Sequence, residues 1–135
     1  MTERKHFLDS NVVLYLLSGD ASSATTAEAL LARGPVISVQ VLNEVTNVCR
    51  KKLSMSWSEI HQFLELVRSF CSVMPLTVDV HDQARQLAER CGLAFYDSVI
   101  VAAALLGRCT TLYSEDMHDG LVVTGSLTIV NPFRT

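Results

Sequence analysis

The sequence predicts an α/β domain of three layers, a central parallel sheet of about four to five strands flanked by helices. Three observations carry that expectation. Short β-branched or aromatic runs alternate with longer helical patterns from one end of the chain to the other, and such alternation implies parallel pairing. The 135 residues contain no repeat, low-complexity tract or linker, so residues 1–135 read as a single domain with its own core. Hydrophobic residues make up 49% and charged ones 19%, below the roughly 25% charged of an average domain, which points to a well-filled interior.

The elements follow in order. "KHFL" at 5–8 is a first strand. Val12–Leu17 reads as a short helix with Ser10-Asn11 in its N-cap region. Ala21–Arg33 is rich in alanine and leucine, and Gly34-Pro35 ends it. Val36–Val39 is β-branched and gives a second strand. Val41–Lys52 is helical, with apolar residues at 41, 42, 45, 48 and 49. Trp57–Cys71 is a further helix with Ser56 or Ser58 as cap. Val73–Leu76 forms a third strand, which Pro75 assigns to an edge. Val80–Arg90 is a helix capped by Asp79 and stopped by Gly92. Asp97–Leu106 is apolar almost all round and hence a buried helix. Cys109–Tyr113 and Leu127–Val130 complete the strands.

Composition excludes several classes. Cys49, Cys71, Cys91 and Cys109 form no CxxC pair, which argues against a zinc knuckle or a thioredoxin-like site. Their apolar surroundings favour buried thiols in a reducing compartment over paired disulfides. The N-terminus runs into a strand without the features of a secretory signal. The longest apolar run, Val99–Leu106, is far short of the ~20 residues of a membrane helix. A cytoplasmic protein is expected, with no membrane partner. The net charge of −3 argues at first against nucleic acid. Setting aside four of the fourteen acids as metal ligands, however, leaves the eleven basic residues in slight excess.

In parallel α/β sheets, ligands gather outside the carboxyl ends of the strands. Asp9 directly follows the first strand, flanked on both sides by apolar sequence. Asp116 follows the fourth in "TTLYSEDMHDG", with Glu115 and Asp119 alongside. Glu44 lies one turn into the helix after the second strand, at the edge of its apolar stripe, and Asp97 opens the buried helix. Singly, each has a plainer explanation: Asp9 and Asp97 as helix caps, Glu44 as a solvated residue, and the 115–119 acids as a polar turn. Jointly they come from separate segments toward one rim. Carboxylates that converge without lysine or arginine are tolerable only when protons or cations neutralise them. Hard oxygen donors select Mg²⁺ or Mn²⁺. His6, His61, His81 and His118 have no HExxH or HxH spacing, which disfavours zinc, and His118 reads as a surface loop residue.

The segments "FLDSNVVLYLL", Glu44 on its helix, "FYDSVIVAAALL", "TLYSEDMHDG" and "LTIVNPF", in that order, resemble the PIN-domain ribonucleases, with the bacterial VapC-type toxins as the nearest group. The resemblance implies a parallel α/β sheet with an acidic pocket and Mg²⁺- or Mn²⁺-dependent hydrolysis of single-stranded RNA. It matches Asp9, Glu44, Asp97 and Asp116 to the family's acids, and Asp119 to a further acid that some members carry. Ser10 and Asn11 match the small polar pair that orients the first carboxylate or the substrate; Ser10 stands where threonine is commoner. It also implies an antitoxin protein as partner and a homodimer, for which the helices Ala21–Arg33 and Trp57–Cys71 are the expected interface.

Three other readings stand beside it. One is a PIN nuclease that processes RNA outside toxin–antitoxin systems. A phosphatase with Asp9 as nucleophile is disfavoured because the second aspartate it needs is Asn11, and no lysine follows the later strand where expected. A non-catalytic acidic pocket is disfavoured because Glu44 and Asp97 are both retained. Arg50, Lys51 and Lys52 could contact an RNA backbone, although such a run is commonly a solvated face.

Overall fold

The computed structural model describes residues 4–134. A sheet of six strands in the order β3-β2-β1-β4-β6-β5 forms its centre. The strands are β1 (Lys5–Leu8), β2 (Val36–Ser38), β3 (Ser72–Met74), β4 (Cys109–Tyr113), β5 (Val122–Val123) and β6 (Leu127–Val130). Every pairing is parallel except that of β5 with β6. Among the described residues six α-helices flank the sheet, α1 (Ser10–Leu14), α2 (Ala21–Ala32), α3 (Val39–Lys51), α4 (Trp57–Phe70), α5 (Val78–Cys91) and α6 (Phe95–Leu106), and a 3-10 turn at Tyr15–Leu17 extends α1.

The central strands supply the core. Phe7, Ile37, Leu112 and Ile129 are fully buried, and burying each such side chain stabilises the fold by roughly 1.5–3 kcal/mol. Helix α6 packs against β2 and β4, with α5 on top of it. Residues Ser98 to Ala104 of α6 are all buried, as its apolar circumference predicts.

Capping explains where the helices begin. Asp9, extended at φ −71° and ψ 163°, is itself the N-cap of α1, so the helix starts at Ser10 and the Ser10-Asn11 pair lies inside it. Ser38 caps α3 through a 3.3 Å bond from the Val41 N–H to its Oγ, which draws Val39 out of the expected strand. Ser56, not Ser58, caps α4 and forms a capping box with Glu59. Thr77 rather than Asp79 caps α5, and Gly92 stops it in the left-handed region at φ 68°. Helix α6 starts at Phe95 with Ala94 as its N-cap, so Asp97 lies within the first turn and caps nothing. β3 is an edge strand, with Pro75 just past its end.

The unforeseen strand is β5, joined to β6 through a turn in which Thr124 and Gly125 have φ of 53° and 73°. Positive φ at both central positions suits a tight hairpin. Of the cysteines, all free, Cys49 and Cys109 are buried, Cys71 is half-buried and Cys91 is exposed, against the expectation of four buried thiols. No helix among the described residues is long and apolar enough to cross a membrane.

Candidate active site

β1 and β4 are neighbours, yet the chain leaves β1 toward β2 on one side and reaches β4 on the other. The crevice between them is the switch point where doubly wound sheets bind ligands. Asp9 stands there, one residue past β1, and its N–H donates to the Tyr113 carbonyl at 3.0 Å. The residue is buried, at 4% exposure. Oδ1 accepts from the Ser10 N–H at 2.7 Å and Oδ2 from the Ser114 hydroxyl at 2.8 Å. Ser114 lies just past β4, in the position that Asp9 holds past β1, because Leu8 pairs with Tyr113.

Contacts spread from this pair. The Ser10 hydroxyl donates to Glu44 Oε1 at 2.8 Å, and Gln40, one turn earlier on α3, donates to Oε2 at 3.1 Å. The Asn11 amide donates to Asp116 at 3.1 Å, and its carbonyl oxygen accepts from the Glu115 N–H at 3.1 Å. Residues 10 and 11 thus tie α3 and the loop after β4 to the end of β1. Glu115 reaches away to accept a 2.6 Å bond from the Tyr15 hydroxyl. That bond, above all, raises the Tyr15 pKa to about 12.

The electrostatics identify a cluster. Burial pushes the Asp9 carboxyl up to about 6, against the pull of the Ser114 and Ser10 bonds, and the charges of Glu44 and Asp97 push it further the same way. Asp97 is raised as well, first by burial and then by Glu44 and Asp116. The carboxylates therefore feel one another across four segments, and no basic residue is among the groups shifting either one. The ion pairs among the described residues, Arg85 with Asp82 and Arg134 with Asp119, lie outside the cluster.

A divalent cation fits this donor chemistry, since all four acids offer hard oxygens and carry uncompensated charge. The fit does not extend to a finished cage: among the described residues, no group of three His, Cys, Asp or Glu side chains is arranged to hold a metal ion. Glu44 is drawn toward Ser10 and Gln40, and Asp116 toward Asn11.

Asp119 occupies a different setting. One oxygen accepts from the Asn131 N–H at 2.7 Å and the other from Arg134 at 3.1 Å, so its carboxylate serves the segment after β6. His118 is exposed, as expected of a loop residue. Arg50 lies over the Trp57 ring, 5.3 Å from its centroid, and donates to the Met55 carbonyl. Ser114 and Gln40 escaped the sequence analysis because neither is a carboxylate. The equal offset of Asp9 and Ser114 from their strands was the signal available for Ser114.

Fold and site together define a doubly wound α/β domain with an uncompensated acidic cluster at its switch point. A family comparison narrows the class: the PIN domain matches residues 6–118, and the chain belongs to that family. Solved structures share the fold. A toxin–antitoxin complex from Klebsiella pneumoniae is 21% identical with a TM-score of 0.73, covering 97% of this chain and 100% of the other. Mycobacterium tuberculosis VapC20, a sarcin–ricin loop cleaving toxin, is 22% identical with a TM-score of 0.67, covering 83% and 90%. FitAcB from Neisseria gonorrhoeae is 19% identical with a TM-score of 0.66, covering 96% and 99%. No protein of curated function matches the sequence.

Proposed function

We propose that the protein is a Mg²⁺- or Mn²⁺-dependent endoribonuclease that hydrolyses phosphodiester bonds of single-stranded RNA, acting as the toxin of a VapBC-type pair. The observation that carries this reading is the state of Asp9: buried at the switch point, raised to about 6, and pressed by Glu44 and Asp97 with no basic group among the described residues that shift it. Membership of the PIN family supports the nuclease activity. The toxin–antitoxin neighbours support the antitoxin partner.

Asp9, Glu44, Asp97 and Asp116 would hold the cation. When bound, it supplies Lewis-acid stabilisation of the phosphate oxygens and makes water acidic enough to attack near neutral pH. The residues around the acids aim them. Ser114 and the Ser10 N–H fix both Asp9 oxygens, the Ser10 hydroxyl and Gln40 hold Glu44, and Asn11 holds Asp116. Asp116, the exposed member, would take the proton of the attacking water. Ser10 and Asn11 thus act on the substrate's position through the acids they orient. The copies pair through α2 and α4, where Leu66 and Phe70 on α4 and Leu17 in the turn before α2 expose apolar surface; a monomer in light scattering at micromolar concentration would remove that part of the proposal.

The test is Asp97→Asn. The substitution keeps size, and Asp97 caps nothing that the change could weaken. RNA cleavage with Mg²⁺ or Mn²⁺ should fall by orders of magnitude while the melting curve holds. Undiminished cleavage would show that the acidic cluster is not the active site.

A further inference from the structure

Outside the acidic cluster, a cavity of about 510 Å³ lined by basic residues lies beside β1, β4 and β6. Arg4, Lys5 and Arg33 reach it from the start of β1 and the end of α2, and the hydroxyls of Thr110, Thr111, Ser126 and Thr128 join them. No carboxylate among the described residues lines it, in a chain whose net charge is −3. None of the three cations forms an ion pair among the described residues. His6 also lines the cavity. Its Nε2 contacts the Leu30 carbonyl at 3.2 Å, while Nδ1 has no partner among the described residues.

Each cation has a plainer role: Arg33 sits at the C-terminus of α2, where the helix dipole favours a positive charge, and exposed lysines and arginines are ordinary. Convergence of all three on one hollow, with hydroxyl donors and no acid, is not ordinary. Bringing like charges together is unfavourable unless an anion shares the site. Arginine offers a planar fork of donors that matches phosphate, and the hydroxyls can donate to its remaining oxygens.

We propose that this cavity is a phosphate-binding subsite. Two sources carry that chemistry: an internal phosphodiester of a bound RNA strand, and free phosphate or a nucleotide. Assignment to the strand rests on the ribonuclease reading. Position favours it, because Tyr113 lines the cavity and the next residue, Ser114, holds Asp9. A strand rises ~3.3 Å per residue, so the four residues from Lys5 to Asp9 put the cations at the amino ends of the strands, roughly 13 Å from the acidic rim and within reach of a strand of several nucleotides.

The experiment has two arms on the full chain, each with a melting curve. In the first, amide NMR spectra follow inorganic phosphate at constant ionic strength. Saturable shifts are expected at Lys5, Thr110, Thr111 and Ser126, weakened several-fold in Arg33→Gln and in Lys5→Gln, and unchanged in Asp97→Asn. In the second, fluorescence anisotropy measures binding of a single-stranded RNA oligomer in EDTA. Arg33→Gln should weaken it several-fold and reduce the salt slope by about 0.7. Phosphate shifts with no loss of RNA affinity in Arg33→Gln would support the subsite and assign it to free phosphate or a nucleotide. If the parent binds no RNA at all, the ribonuclease reading fails while the phosphate arm still decides the subsite. Absence of saturable phosphate shifts at these amides would overturn the proposal. So would displacement of phosphate by a polyglutamate peptide far more tightly than by RNA, which would assign the cavity to an acidic protein.

Discussion

Asp9→Asn should stabilise the metal-free protein at pH 8 and leave it no more stable at pH 4. The folded state raises the Asp9 pKa from 3.8 to about 6. Below both values the carboxyl is protonated in either state and costs nothing. As pH rises between them, the unfolded chain gives up the proton first, so the folded protein binds more protons and its stability falls. Above about 6 the loss is complete. A shift of about two units corresponds to about 3 kcal/mol at 1.36 kcal/mol per unit. Asparagine avoids that penalty. Its carbonyl oxygen can still accept from the Ser10 N–H, but its amide meets a hydroxyl that now donates to Asp9. The Ser114 hydroxyl must turn to accept, at a cost of about 1 kcal/mol.

The net gain at pH 8 is about 2 kcal/mol, which for a chain of this size raises Tm by about 6–8 °C. The assay is thermal unfolding of parent and variant in EDTA across pH 4–8, read as the difference between them so that other titrating groups cancel. That difference should grow with pH through 4–6 and then level. A difference that is flat across the range would refute the charge-burial account of Asp9.

Millimolar Mn²⁺ should raise the Tm of the parent, because a cation bound only by the folded state stabilises it; the rise should shrink sharply in Asp9→Asn and Asp97→Asn, and equal melting in EDTA and Mn²⁺ would count against a shared site. Tyr15→Phe removes the 2.6 Å bond to Glu115 and should cost about 1 kcal/mol in denaturant unfolding, with slower RNA cleavage because the loop carrying Asp116 loses an anchor. Asp119→Asn should leave cleavage near the parental rate, since its oxygens are engaged by Asn131 and Arg134; a loss of orders of magnitude would make Asp119 a ligand.

Much of the scaffold was legible because its signals are local. β1, β4 and β6 fall at their expected residues, since each is a short β-rich run between breakers. Helix starts were less legible, because several polar residues in a row can each cap. In "LTVDVH" Thr77 and Asp79 are both good caps, and only the fold selects Thr77, which lets Val80 turn inward as a buried residue. β5 was hidden by its two residues, too few for any alternation, and by a Thr-Gly turn in place of the commoner Asn-Gly. The acids were legible as candidates, because strand ends in a parallel sheet narrow the search. Their supports were not. Ser114 acts through a hydrogen bond that exists only once β1 meets β4, whereas Gln40 is an i,i+4 neighbour of Glu44 within α3, a local spacing that the search for carboxylates passed over.

The two sequence readings of Asp9, helix cap or metal ligand, are compatible in the structure. The cap uses one oxygen for the Ser10 N–H, and Ser114 approaches the other. An ionised carboxylate has about four acceptor sites on its two oxygens; the other two meet only long contacts, from the Ser10 hydroxyl at 3.5 Å and the Asn11 amide at 3.4 Å, which a cation could displace. A cap at a helix start also sets the direction of the side chain, because its backbone must remain extended while the next residue turns helical. Burial then works twice. It removes the water that would otherwise screen Glu44 and Asp97, which raises the cost of leaving Asp9 charged. The same exclusion strengthens its attraction for a divalent ion. A cap exposed to solvent would stabilise α1 equally well and bind a cation weakly. The apolar flanks of "FLDSNVV" therefore have a chemical consequence beyond packing: they turn an ordinary helix cap into a carboxylate held close to its neutral form, the cost that the proposed cation would relieve.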